Sequence, residues 1–339
     1  MKLAALFLST IVLASVSTVV HGQTETHTTM RLSESIQLPG VQGGFDHLAY
    51  DSVKKRVFVA AEDNGTVEVI DLPKMVRIAS ITGFQNPHSI LLRPDSSIIL
   101  VTDSGPAASA LISPVTLKKM GQLKLALGAN CILFDSQHNR VYITAGGDRV
   151  HQASSMLQSI NPDTGEIAKS VAVNVLHLQP MALDPATNRL FVNFADQNSI
   201  GIFNADTLQL ASTWKILGCR KNSPIVFDGK YHRLFVVCGD PGLLFVLDSD
   251  SGSVKASIRT PPNPDDMDLD ASTNRLFIPG DGSLNLYDVS HSDRVTLIQR
   301  VATSKDARTG LLLPGGRRYA LAVPASKGGT AHVDIFNVH

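Results

Sequence analysis

The phrase DPATNRLFV at residues 184–192 returns almost unchanged as DASTNRLFI at residues 270–278. Further copies begin at Asp51 (DSVKKRVFV), Asp135 (DSQHNRVYI) and Asp228 (DGKYHRLFV). Two degraded ones occupy residues 94–101 (PDSSIILV) and 314–321 (PGGRRYAL). The second half of the phrase starts at Arg56, Ser97, Arg140, Arg189, Arg233, Arg275 and Arg318, in steps of 41, 43, 49, 44, 42 and 43 residues. A period of about 40–50 residues belongs to solenoids, arrays and propellers. The 339 residues therefore need not divide into two ordinary domains.

Each period has one grammar. A short apolar run (MALD) meets a polar turn (PATN), then a second run (RLFVNF), a loop (ADQN), a third run (SIGIFN), a turn (ADTLQ) and a fourth run (LASTWKI). Runs of four to seven Val-, Ile-, Leu- and Phe-rich residues, punctuated by Asp, Asn, Gly and Pro, predict four antiparallel strands per period. The third run usually ends in Asp or Asn (Asp71, Asn161, Asn204, Asp248, Asp288, Asn337), where a short acceptor can hold the amides of the next turn. The seventh period stops after its third run, HVDIFNVH. Residues 30–40, MRLSESIQLPG, resemble a fourth run with no first three, as comparison with SVKASIRTP and VRIASITGF shows. A ring resolves both ends, because residues 30–39 can pair antiparallel with 332–338 and close the circle. The expectation is an all-β, seven-bladed β-propeller in one domain over residues 30–339. Phe58, Tyr142, Phe191, Phe235 and Phe277 share one place in the second strand and should wedge between adjacent blades.

Ahead of the repeat, Lys2 and the apolar run of residues 3–20, followed by VHG, predict a secretory signal peptide over 1–22 and a flexible 23–29. Its removal would leave no segment able to span a membrane, and the expected location is periplasmic or secreted. Such a compartment oxidises thiols. Cys131, Cys219 and Cys238 are an odd number, so at least one stays free or pairs between chains. A Cys219–Cys238 bridge is compatible with the sequence, while Cys131 and Cys238 also read as small buried hydrophobes. Thirty basic residues balance thirty acidic ones, which argues against a nucleic-acid partner. A monomer is expected.

The segments RVFVAAEDNGTVEVIDLPKMVRIASI and NRLFV followed by IGIFN resemble the YVTN-type, YncE-like group of secreted bacterial repeat proteins. FDHLAYD and DARTGLLLP are similar to segments of that group. The resemblance covers nearly the whole chain after residue 22 and implies the propeller fold. It implies no single activity. Some members are linked to DNA, a role that the neutral charge balance here opposes. The periods lack the Trp-Asp ending of WD40 repeats, and no glycine pair recurs from period to period as it does in kelch repeats.

In a propeller of this hand, first strands line the central channel. Their entry segments share one face with the loops between second and third strands, and that face is the expected binding surface. The entries bring Asp46 and His47 to blade one, His88 to blade two, Asp265 and Asp266 to blade six, and Arg308 to blade seven. These blades are contiguous in a closed ring, so the six residues are the candidate ligand site at the channel mouth. Blades three to five contribute milder entries at 129–131, 180–181 and 223–224. Solvated channel lining is the competing reading. Asp63, Asp103, Asp148, Asp196, Asp240 and Asp281 follow second strands and are expected as Asx turns. The blade-three loop of residues 145–155 is the longest, and its His151 could reach over the mouth. No metal-ligand spacing occurs, and neither metal nor cofactor is expected.

Two functions fit. One is a binding or scaffold propeller that recognises a small ligand or a protein partner at the channel face. The other is a hydrolase of lactone type, or a dehydrogenase, using the His, Asp and Arg arc, with an imidazole exchanging a proton near neutral pH. Gly-x-Ser-x-Gly, His-Glu-x-x-His and nucleotide-binding loops are all absent from the sequence.

Overall fold

The computed structural model describes residues 29–339 apart from 94, 96 and 107, so the signal peptide expected over 1–22 and residues 23–28 lie outside the described residues. The described chain forms 28 strands and one short 3-10 helix. Seven four-stranded antiparallel sheets result, six of them in plain sequence order. First strands of neighbouring blades touch in an unbroken cycle, blade seven against blade one included. The chain is therefore a closed seven-bladed β-propeller.

Closure follows the expected route. Met30–Gln37 pairs antiparallel with His332–Val338, from Met30 opposite Val338 to Gln37 opposite His332, with a register shift between Leu32 and Glu34. Pairing ends two residues short of the expected 39. Leu38 still donates to the Ala331 carbonyl at 2.8 Å, but Pro39 has no amide to give. Gly40 then turns away at φ 85°, a conformation that costs little only for glycine.

The repeated phrase works through an Arg-x-Phe pair. Phe58, Tyr142, Phe191, Phe235 and Phe277 are fully buried. Each belongs to an apolar cluster with the following blade, as Phe58 does with Ile99 and Val101, and Phe191 with Val236 and Phe245. Two residues earlier, on the same strand face, Arg56, Arg140, Arg189 and Arg233 lay their guanidinium groups over these rings at 4.7–6.0 Å. Three of them also pair with the Asp that ends their own first strand: Arg56 with Asp51, Arg189 with Asp184 and Arg233 with Asp228. The same arginines then reach into the next blade. Arg56 donates to the Pro114 carbonyl, Arg189 to Ser249, and Arg233 to Val289 and His291. One phrase thus supplies the wedge, the pairing within a blade and the tie between blades.

Asp71, Asn161, Asn204, Asp248 and Asp288 accept amides from the turn that follows, as expected. Of the aspartates after second strands, Asp103 makes the expected Asx turn, accepting the Gly105 amide at 2.7 Å, and three of them also reach further back in the chain. Asp63 accepts the Gly44 amide, Asp103 those of Gln85 and Asn86, and Asp196 those of Leu176 and His177. These amides lie in the entry segment of the same blade, so the aspartate holds that segment against the loop. Cys219 and Cys238 form a disulfide with Cα atoms 5.3 Å apart. Cys238 is therefore buried as expected but not free, and Cys131 is the free, buried thiol.

Candidate functional site

The entry to blade one, GGFDH, is shaped by its glycines. Gly43 has φ 73°, and a Cβ there would fall 2.3 Å from the Asp63 Cβ. Gly44 donates to Asp63 Oδ2 at 2.7 Å. The Asp46 amide then bonds the Ala60 carbonyl, and the Ala60 amide bonds the His47 carbonyl, which extends the ladder to the channel rim. Asp46 and His47 are thereby fixed where the first strand begins.

From this point a chain of side chains crosses the ring. His47 Nδ1 lies 2.6 Å from Asp266 Oδ1, and its Nε2 lies 3.3 Å from Asp46 Oδ1. Asp46 Oδ2 lies 2.6 Å from His88 Nδ1. Asp266 Oδ2 accepts the Gly310 amide of blade seven at 2.9 Å. Asp265 and Arg308 meet through the Asp265 amide and the Arg308 carbonyl at 3.1 Å. The entries of blades six, seven, one and two thus converge, and all six predicted residues stand on one side of the disc around the axis.

They do not form one cluster. Asp46, His47, His88 and Asp266 are the connected set. Arg308 stands apart, its Nε 3.6 Å from Asp265 and 3.9 Å from Asp281, outside hydrogen-bond range. Two cavities open here. One, of about 230 Å³, is lined by Asp46, His47, Glu62, Asn130, Arg149, Gln179, Ser223, Asp265 and Arg308. The other, of about 450 Å³, shares Gln179, Ser223, Asp265 and Arg308 and adds Asp148, His177, Lys221 and Asn263. Further down the channel a third, of about 260 Å³, is walled by His47, Ile90, Cys131, Met181, Asp266 and Asp268.

Charge sets the protonation pattern. Burial alone would lower the pKa of His47, but Asp266 and Asp46 outweigh it and hold the imidazole well above its usual range. A carboxylate on each nitrogen favours the protonated imidazole, in which neither nitrogen keeps a free lone pair. His47 is a poor candidate for the expected proton exchange and a good brace. Burial would raise Asp46, yet His47, His88 and Arg149 hold it well below the usual carboxylate range. Glu62 is pushed up, by burial first and by the charge of Asp46 next. Asp265 is pushed up to about 7 by burial and by Asp46, partly offset by Arg308. Its side chain is nevertheless 38% open to the cavity. Asp268 also rises to about 7, through burial and the charge of Asp266. Of the two carboxyl groups raised to about 7, Asp265 is the one that lines the mouth cavities.

Several lining residues were not singled out by sequence. Glu62 and Arg149 come from loops between second and third strands, and Arg149 lies 3.8 Å from Glu62. The long blade-three loop thus does reach the mouth, but with Arg149, while His151 is exposed. Gln179 contacts His177 at 2.6 Å and accepts from Ser223 at 3.3 Å. Ser223 was expected as a milder entry of blade five, and for Gln179 the available signal was its position at the first-strand entry of blade four alone. Among the described residues no helix is long and apolar enough to cross a membrane.

No protein-family model and no curated protein matches the sequence. Solved structures do resemble the fold. Hydrazine synthase from Kuenenia stuttgartiensis is similar to 84% of this chain over 95% of its own, with a TM-score of 0.72 and 13% identity. At that identity the likeness is one of propeller architecture alone.

Proposed function

We propose that this chain is an exported, YVTN-type binding propeller that takes a small ligand at the channel face. The ligand presents a carboxylate or carbonyl oxygen to Arg308 and polar groups to Gln179 and Ser223. The observation that carries this reading is the state of Arg308. Its guanidinium faces both mouth cavities, is 37% exposed, and makes no side-chain hydrogen bond among the described residues. A planar fork of donors held only by two long ion pairs, to Asp265 and Asp281, suits a bidentate oxygen ligand. The acidic residues around it disfavour a bare polyanion and favour a hydroxy- or amino-carboxylate, or a neutral carbonyl.

The test is calorimetry with small hydroxy-acids, amino acids and lactones. Binding should be lost in Arg308→Ala at an unchanged melting temperature. Absence of binding across the panel, or equal binding by the variant, overturns the reading.

One observation favours a second, hydrolytic reading. Asp265, with its pKa raised to about 7, shares both cavities with Arg308. Arg308 would polarise a lactone carbonyl while Asp265 takes a proton from the attacking water and returns it to the leaving alkoxide. Proton release measured on the lactones tests this, and Asp265→Asn should abolish it.

A further inference from the structure

Asp46 turns its second oxygen toward a group that the ligand reading does not use. His88 is a fully buried imidazole on the first strand of blade two, Pro87–Leu92. Its Nδ1 lies 2.6 Å from Asp46 Oδ2 and 3.6 Å from Glu62 Oε1. One donor atom from each of Asp46, Glu62 and His88 can be chosen so that all lie within 4.8 Å of one another. We propose that Asp46, Glu62 and His88 bind one divalent transition-metal ion, with zinc the best match, at the rim of the mouth cavity.

The chemistry of the donor set carries the choice of ion. One imidazole nitrogen and two carboxylates suit zinc, whereas calcium and magnesium take oxygen donors almost throughout. With Zn–N and Zn–O near 2.0–2.2 Å, donor atoms around one ion stand roughly 3–3.5 Å apart. The spacings of 2.6 and 3.6 Å bracket that range. The ion takes the place of the hydrogen now bridging His88 and Asp46, so that separation opens slightly.

Glu62 has to move more, and it is free to do so. Its carboxylate makes no hydrogen bond among the described residues, its contacts being His88 at 3.6 Å and Arg149 at 3.8 Å. The crowding of Asp46 and Glu62 also favours a dication between them. Asp46 is aimed by a neighbour, because its Oδ1 is held by His47, which Asp266 holds in turn. Such outer partners are what orient ligating carboxylates in metal sites. Asp46 and Glu62 both line the 230 Å³ cavity, from which water or a bound oxygen ligand can complete the coordination. This inference goes beyond the ligand reading and does not depend on it.

The experiment is zinc titration of the full chain by calorimetry, after chelator treatment and dialysis, with cobalt absorption as an independent readout of nitrogen and oxygen ligation. One ion per chain is expected. Glu62→Gln should weaken binding at least about tenfold while the metal-free melting temperature stays unchanged. His47→Gln should weaken it by about 10–100-fold, as loss of an outer partner does. Arg308→Ala should keep the ion, which separates this result from the carboxylate experiment. Stoichiometry far below one, or full-strength binding by Glu62→Gln, overturns the proposal. The second outcome would place the zinc on other histidines.

Discussion

His47 Nδ1 and Asp266 Oδ1 lie 2.6 Å apart although 219 residues separate them in sequence. The contact joins blade one to blade six across the entry of blade seven, and Asp266 bonds blade seven as well through Gly310. It is a clasp between the two ends of the repeat array, made of side chains rather than strands.

Removing the clasp should cost stability in a pH-dependent way. His47→Gln leaves Asp46 and Asp266 without their shared cation, a loss of about 3 kcal/mol by analogy with broken buried pairs. The folded pKa of His47 is raised. The advantage of the wild type is therefore fully present below the unfolded value near 6.5 and fades as pH rises through the folded one. Denaturant titrations of both proteins at pH 6 and at alkaline pH check this. A gap that stays constant or widens with pH contradicts it.

Asp268 should make the protein less stable as pH rises from about 4 to 7. Its folded pKa of about 7 lies above the ordinary 3.8, so the fold favours the protonated acid and loses that advantage through this window. At about 1.4 kcal/mol per unit the cumulative effect is several kcal/mol. Asp268→Asn should flatten the decline in melting temperature between pH 4.5 and 7.5. The same slope in the variant would show that the carboxyl is not protonated in the fold.

Deleting residues 23–40 should unfasten the ring. Met30, Ile36 and Leu38 lose their buried positions, and His332–Val338 becomes an open edge. The expected loss is several kcal/mol, seen as a lower melting temperature. Melting at the wild-type temperature would mean that closure contributes nothing.

The two parts of the repeated phrase should be separable. Phe191→Ala removes a buried wedge and should cost about 3–5 kcal/mol. Arg233→Ala strands buried Asp228 and two carbonyls of the next blade, at a cost of similar size. Arg233→Met, with comparable bulk, should recover only the packing share. Chemical denaturation of the three variants decides this.

The Cys219–Cys238 bridge closes a short loop at a sequence separation of 19. Chain-entropy arguments assign such a loop about 3 kcal/mol, so Cys219→Ser/Cys238→Ser should melt lower than the wild type by a corresponding amount. Native protein should show no fast-reacting thiol, since Cys131 is buried. Rapid labelling of a thiol before unfolding would mean that the reagent enters the channel cavity that Cys131 lines.

The repeat alone was enough to determine the propeller, its blade count and its closing strand. Period, alternation and the missing fourth strand are local, additive signals, and a chain that repeats a wedge must bury it against its own copy. The face of the disc was legible too, because topology puts every first-strand entry on one rim. Roles at that rim were not. Whether His47 is a base or a brace depends on Asp266 arriving from 219 residues away. Glu62 and Arg149 look like ordinary loop residues until ring closure carries blades one and three to the same cavity. Asp63, Asp103 and Asp196 bond entry segments 17–20 residues back, contacts that a local turn rule does not report, while Asp103 keeps its local Gly105 turn as well. Backbone pattern reports on short-range geometry. Protonation and ligation depend on which charges lie within a few ångströms, and only the closed ring decides that.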